Sequence, residues 1–322
     1  MLTRRHLAAL LAAAPLGGAL AQTVPTAVHP MPAAGRRPWA DQVREIRIGL
    51  LGGENEADRL ARYGRYRDLV SSHFGVQARI FPAGDYAGVM QGFAARQLEM
   101  AGLGPLGYAR IWLDTNGNIE PSVVALESDG SDSYVALMYV RADSGITSLE
   151  QMRGKSLAWA DPNSTSGFLV PRSELREANI NVDTFFSRTG FAGGHEQGVV
   201  AVLGRQYDGG VTWASGIGEE SQGFTRGNLR AMVDKNMLRM SDIRIIWRSR
   251  PIPNGPIAVR ADLPAAFRAD MRAFHLALPS THPEVYREIE RGSGAGYAVR
   301  EHAFFEPIVA MARAEAAARR AR

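Results

Sequence analysis

The sequence predicts an α/β protein of two lobes with a crevice between them. Strand-like and helix-like segments alternate over residues 45–103, which argues a parallel sheet flanked by helices. A second alternation occupies residues 134–213, and the chain beyond Arg250 returns toward the first. No period of about 20 to 50 residues repeats, so solenoids and propellers are excluded. The expected organisation is a leader at 1–21, a flexible lead-in at 22–41 and a first part of lobe 1 at 42–130. Lobe 2 then takes 131–250, and 251–322 returns to lobe 1 with C-terminal helices.

The leader begins with Thr3-Arg4-Arg5-His6, continues as an apolar run over residues 7–16 and ends Ala19-Leu20-Ala21. A positive start, an apolar middle and a small-residue cleavage site make an export signal. The run is too short for a permanent membrane span. Adjacent arginines permit twin-arginine export, but Ala8-Ala9 after Leu7 breaks its usual apolar continuation, so Tat and Sec both stand. Either route delivers the product to the periplasm. Pro25, Pro30, Pro32 and Pro38 mark the lead-in.

Order is expected from the alternating strand at residues 45–51. A helix follows over 55–74, with Leu60, Tyr63, Tyr66, Leu69, Val70 and Phe74 on one stripe and Gly75 as its stop. A strand at 76–81 precedes a helix at 85–97 that Asp85 caps. A short strand at 99–103 runs into Gly104-Pro105-Leu106-Gly107. Strands at 123–126 and 134–140 open the second region. A short helix at 148–155, a strand at 156–160, a helix at 172–178 and a strand at 185–191 follow. Next come a helix at 196–203, a strand at 207–213, a loosely defined helix at 214–224 and strands at 243–247 and 257–259. The last helices are expected at 264–278, 283–290 and 301–320.

Hydrophobic residues at 45% and charged residues at 22% are those of a soluble globular protein. The formal charge of +4 includes Arg4 and Arg5 of the leader, and Lys155 and Lys235 are the only lysines. With no dense basic run interleaved with aromatics, nucleic acid is not an expected partner. The absence of Cys removes disulfides, thiolate catalysis and Cys-based metal sites. Seven histidines form no His-x-x-x-His pair, so no metal and no cofactor is expected.

The most informative stretch is Asp161-Pro162-Asn163-Ser164-Thr165-Ser166-Gly167-Phe168-Leu169-Val170-Pro171, at a strand-to-helix junction. Amides at a helix start lack partners inside the helix and carry the positive end of its dipole. Three hydroxyls beside them suit either a pocket for a tetrahedral oxyanion or an ordinary N-cap with two spare hydroxyl residues, and the run by itself leaves both open. The stretch resembles the signature of the phosphonate-binding family of periplasmic proteins, the receptors of phosphonate, phosphite and phosphate ABC importers. The resemblance continues in Asp85-Tyr86-Ala87-Gly88, Gly194-His195-Glu196 and Ile246-Trp247-Arg248-Ser249 followed by Ile252-Pro253. It covers roughly residues 46–313.

The resemblance implies the type II periplasmic-binding-protein fold, two α/β lobes with a ligand cleft and a hinge. It further implies capture of a small phosphorus oxyanion for import by an ABC permease and its ATPase, with the receptor acting as a monomer. Ser164, Thr165 and Ser166 are then expected to line the anion pocket, with Tyr86 and Tyr134 reaching it from opposite lobes. His195 is expected to contact the anion; a dianion beside it raises its pKa and tightens binding at mildly acidic pH. Family members that bind 2-aminoethylphosphonate hold its ammonium with two carboxylates. Here Ser215 and Asn254-Gly255 stand at those positions, which disfavours that ligand unless Glu219 or Glu220 substitutes. An enzyme is not expected, because no G-x-S-x-G elbow, P-loop, Rossmann fingerprint or H-E-x-x-H occurs. A ligand-sensing subunit of a membrane histidine kinase, on the same fold, is the alternative.

Overall fold

The computed structural model describes residues 28–320, apart from residues 54, 82 and 293. The expected export signal lies outside the described residues. Lobe 1 is built first from β1 (Glu45–Leu50), α1 (Glu56–Phe74), β2 (Gln77–Phe81), α2 (Tyr86–Ala94), β3 (Met100–Gly102), α3 (Pro105–Asp114) and β4 (Glu120–Leu126). The Asn55 side chain caps α1 by accepting from the Asp58 amide at 3.1 Å, and Gly75 closes it in the left-handed region. Lobe 2 contains β5 (Ser133–Arg141), β6 (Ser156–Trp159), α4 (Val170–Glu177), α5 (Val182–Phe185), β7 (Arg188–Phe191), α6 (His195–Leu203), β8 (Gly209–Ala214), α7 (Asn228–Asp234), β9 (Ile243–Arg248) and β10 (Ile252–Pro253). The chain then re-enters lobe 1 as β11 (Pro256–Val259), α8 (Ala265–Thr281), α9 (Pro283–Glu290), β12 (Gly296–Ala298) and α10 (Glu306–Arg320).

Each lobe holds one sheet. The first has the order β12-β4-β11-β3-β1-β2 and the second β10-β5-β8-β6-β7, with β9 also on β5. The first sheet is not wholly parallel as expected. β2, β1 and β3 run parallel, but β11 inserts antiparallel between β3 and β4. A strand arriving from the far end of the chain is under no helix-crossover constraint, so local alternation does not announce it.

Helices cover both faces of the first sheet. Ile46, Ile48, Tyr66, Val70, Phe267 and Phe274 fill one side, while Val89, Phe93, Tyr108, Ile111, Val124 and Phe305 fill the other. A further apolar cluster joins the lobes, where Leu106 and Ala109 of α3 meet Ala136 of β5, Leu169 and Ile308 and Val309 of α10. The ion pair of Arg172 with Glu315 fastens the same seam. The two passages of the chain between the lobes, before β5 and after β10, are tied where the Asn254 amide donates to the Asp132 carbonyl at 2.8 Å.

Several expected segments are corrected. The lead-in is not free up to residue 41. Trp39 is 2% exposed, packs on Phe74 and Phe267, and donates its indole N–H to Asp270 at 2.7 Å. Aromatic burial there outweighs the proline-rich composition. No helix spans 214–224 beyond a single 3₁₀ turn, Glu220–Gln222, because Gly216 and Gly218 hold φ of 75° and 82°. The helix expected at 148–155 shrinks to a 3₁₀ turn at Glu150–Met152. The strand expected at 185–191 begins only at Arg188, since Asn181 caps a short helix before it. Sequence reasoning missed α3, α7 and the short strands β10 and β12.

Candidate anion-binding site

The signature stretch folds as a tight cap. Ser164 is the N-cap of one π-helical turn, Thr165–Leu169, which continues directly as α4. Its Oγ accepts from the Gly167 amide at 2.9 Å, and its carbonyl accepts from the Leu169 amide at 3.1 Å. π turns of this kind cluster at functional sites because they redirect amides and side chains without ending the helix. Gly167 makes the turn fit: a Cβ there would lie 2.5 Å from Ala160 Cβ and 2.9 Å from His195 Cε1.

All six residues singled out in the sequence, Ser164, Thr165, Ser166, Tyr86, Tyr134 and His195, line one interlobe cavity of about 260 Å³. Tyr86 is the first residue of α2, capped by Asp85, whose side chain accepts from the Gly88 amide at 2.8 Å. The Tyr86 phenol lies beside the Ser164 hydroxyl, and the Tyr134 phenol beside those of Ser166 and Thr165. Tyr86 stands in lobe 1 and Tyr134 in lobe 2, so the phenols do come from opposite lobes. Burial raises both pKa values, Tyr134 to about 12, so both phenols stay protonated donors. His195 opens α6, with Nε2 at 3.1 Å from Ser164 Oγ and Nδ1 at 3.4 Å from Thr212 Oγ1.

One participant went unnoticed in the sequence. The Leu106 amide, near the start of α3, donates to Thr165 Oγ1 at 2.9 Å. Gly104-Pro105 was the available signal, since Pro favours the first position of a helix. Four helix starts therefore meet at one end of the cavity. Tyr86 of α2 and Gly104 with Pro105 of α3 come from lobe 1; Thr165 and His195 come from lobe 2. Each start contributes roughly half a positive charge, and their sum favours an anion held there. The arrangement can bind a tetrahedral oxyanion with neutral donors only.

A scan against family models matches residues 48–306 to the model described as ABC transporter, phosphonate, periplasmic substrate-binding protein. The chain belongs to that family. The phosphonates-binding periplasmic protein of Escherichia coli (strain K12) is 28% identical over 255 residues, which cover 78% of this chain and 71% of that protein. The phosphate-import protein PhnD of Mycolicibacterium smegmatis is 26% identical over 221 residues, 66% of this chain and 65% of that one. The chain thus spans about two thirds of the length of these relatives. Among solved structures, PhnD1 from Prochlorococcus marinus in complex with methylphosphonate superposes with a TM-score of 0.71 at 17% identity, covering 84% of this chain and 97% of that one. The fold is the type II periplasmic binding fold.

Within this phosphonate-family protein, the positions expected to carry ammonium-binding carboxylates remain without them. Ser215 is buried beside Thr225, with their hydroxyls 2.8 Å apart, and does not line the cavity. Glu220 faces Arg248 at 3.8 Å, away from it. Asn254 lines the cavity and donates to the Ala125 carbonyl at 2.9 Å and to Glu127 at 3.0 Å. One carboxylate not singled out in the sequence, Glu290, does reach the lining. It is held by Arg226 Nη1 at 2.9 Å and by the Tyr297 hydroxyl at 2.6 Å.

Full burial lowers the His195 pKa to about 4, and burial lowers that of His275, which contacts the Tyr66 hydroxyl at 2.7 Å, to about 4 as well. Both rings are neutral in the folded protein at neutral pH. The unfolded chain binds protons on them below about pH 6.5, the folded chain only below about 4, so stability is complete above 6.5 and falls as pH drops toward 4. Denaturant midpoints at pH 7 and pH 5 are expected to show a loss on the order of 2 kcal/mol per ring. A His195→Gln, His275→Gln double variant is expected to flatten that slope; an unchanged slope would mean that other groups set it.

Proposed function

We propose that this protein captures a small phosphorus oxyanion, phosphonate, phosphite or phosphate, between its lobes for an ABC permease and its ATPase. It acts without catalysis and as a monomer, reaching the periplasm through the cleavable leader at 1–21 by the Tat or Sec route. The reading is carried by the meeting of four helix starts with the hydroxyls of Ser164, Thr165 and Ser166. A dianion brings several acceptor oxygens, and hydrogen bonds to such a charged group contribute about 1.5–3 kcal/mol each. The relatives found are importer components, and no observation favours the sensor alternative.

A calorimetric panel of phosphate, phosphite, methylphosphonate, 2-aminoethylphosphonate and sulfate tests the proposal. At least one of the first three is expected to bind, and 2-aminoethylphosphonate to bind at least about tenfold more weakly, because Arg226 already occupies Glu290. If none of the phosphorus anions binds, the reading fails.

His195 sharpens the pH expectation. Its ring starts neutral, so a bound dianion tightens as the ring takes a proton, below the bound-state pKa and down to about pH 4. Comparing wild type with His195→Gln at each pH cancels the ligand's own titration. The affinity ratio is expected to be constant at alkaline pH and to grow in favour of wild type on acidification. A ratio that stays flat to pH 4.5 removes His195 charging from the account.

A further inference from the structure

We infer that Arg226 is an interlobe positioning residue, a latch that sets the angle at which the two lobes meet around the cavity. The inference rests on the two-lobed fold and not on which anion is captured. Arg226 lies in lobe 2, on the loop between β8 and α7, and both of its acidic partners lie in lobe 1. Its Nε and Nη2 fork onto the Glu127 carboxylate just after β4, with Nε at 3.1 Å. Its Nη1 reaches Glu290, at the end of α9, at 2.9 Å. A two-pronged guanidinium–carboxylate bond fixes direction as well as distance.

Both ends of the latch are held. In lobe 2 the Arg226 carbonyl accepts from the Ser215 amide at 2.8 Å, the Arg226 amide donates to Ser215 Oγ at 3.3 Å, and Gly227 pairs with Ala214 of β8. In lobe 1 Glu127 also accepts from the Asn254 side chain at 3.0 Å, and Glu290 from the Tyr297 hydroxyl at 2.6 Å. Glu127 and Asn254 stand at the two passages of the chain between the lobes, where a small displacement becomes a large one at the rim. Arg226 Cζ lies 5.8 Å from the centre of the Trp213 ring, and Trp213 meets Tyr134 edge-on at 5.7 Å. Two rings therefore connect the latch to the anion end, where Tyr134 lies beside Ser166 and Thr165.

The other charged pairs between the lobes are placed differently. Lys235 meets a half-exposed Asp58 at the rim, where an ion pair contributes little. Arg172 and Glu315 fasten the seam that apolar packing already closes. Arg62 also lines the cavity, but it belongs to α1 of lobe 1 and lies over Tyr63 of the same helix. The side chains of Arg226, Glu127 and Glu290 are only 12%, 1% and 14% exposed. Removing the cation leaves two carboxylates out of water without their counter-charge, which favours lobes that part and let water reach them.

Small-angle scattering of the ligand-free protein, with calorimetry of methylphosphonate binding, is the test. Arg226→Met is expected to be more expanded than wild type. It is also expected to bind about tenfold or more weakly, because fewer of its molecules hold the lobes at the binding angle. Adding Glu290→Gln to Arg226→Met is expected to recover part of both changes, since one uncompensated carboxylate is then gone. A side chain that merely fills space would show no such recovery. Should Arg226→Met not fold, Glu290→Gln alone is expected to move both readings the same way by a smaller amount. Equal ligand-free dimensions in wild type and variant overturn the inference, as does absence of any recovery. Weaker binding with unchanged dimensions overturns it too and assigns Arg226 to ligand contact. Failure of methylphosphonate to bind wild type overturns the oxyanion reading alone, since the scattering comparison needs no ligand.

Discussion

Gly194→Val is expected to weaken capture of methylphosphonate by about a hundredfold or more while leaving both lobes folded. Gly194 precedes His195 at the start of α6 in lobe 2 and faces the loop after β1 in lobe 1. A Cβ there would lie 2.6 Å from the Gly53 carbonyl oxygen and 2.7 Å from Gly53 Cα. Backbone cannot yield as a side-chain tip does. With φ of 166°, the position is extended and accepts valine without strain; the Gln197 Oε1, 2.3 Å from that Cβ, can swing aside, but the Gly53 backbone cannot. Lobe closure by a hinge brings donors from both sides to one ligand. Lys235 of lobe 2 reaches Asp58 of lobe 1 at 2.8 Å across the same rim. Holding the lobes apart would withdraw Tyr86 from the proposed anion end and break the bond of the Leu106 amide to Thr165. Loss of a charge-assisted bond from Tyr86 and of the support under Thr165, at about 1.5 kcal/mol or more each, gives the stated factor. Small-angle scattering should show ligand-induced compaction in wild type and none in the variant. Wild-type affinity in the variant would mean that capture does not require this degree of closure.

Thr165→Val is expected to weaken binding by roughly tenfold to a hundredfold, and Thr165→Ser to recover most of the loss. Valine keeps the shape of threonine but removes the oxygen. That oxygen accepts from the Leu106 amide of lobe 1 while Thr165 itself belongs to lobe 2, so it links the lobes as well as lining the cavity. Its loss leaves a buried amide unsatisfied, at a cost of about 1–3 kcal/mol, and removes a donor to the ligand. The serine variant separates the hydroxyl from the methyl. An unchanged dissociation constant in the valine variant would remove Thr165 from the anion pocket, and failure of serine to recover it would assign the effect to packing.

Much of the site was legible because its chemistry is local. A run of three small hydroxyls at a strand-to-helix junction signals a cap, and Asp85 before Tyr86 signals another; both caps formed as expected. The α1 stripe was legible for a similar reason, since Tyr66, Val70 and Phe74 recur at helical spacing and are buried. Local signals failed where a segment's conformation is set from outside it. Trp39 sits in proline-rich sequence but is fixed by Phe267 and Asp270, more than two hundred residues away. Glu290 and Arg226 belong to the cavity only because α9 and the loop before α7 are brought together from different lobes. That Gly102 lines the cavity, with open space where a Cβ would stand, was not legible because a glycine in a short strand reads only as a weak strand.

The sequence by itself determined the starts of α2, α4 and α6, the donors they carry and the α/β alternation, because capping and amphipathic spacing depend on neighbours within a few residues. Only the tertiary structure decided that these starts and that of α3 line one cavity, and that β11 divides β3 from β4. Those outcomes depend on which distant surfaces pack together. Burial is won between segments far apart in the chain, and periodicity within any one of them carries no record of its partner.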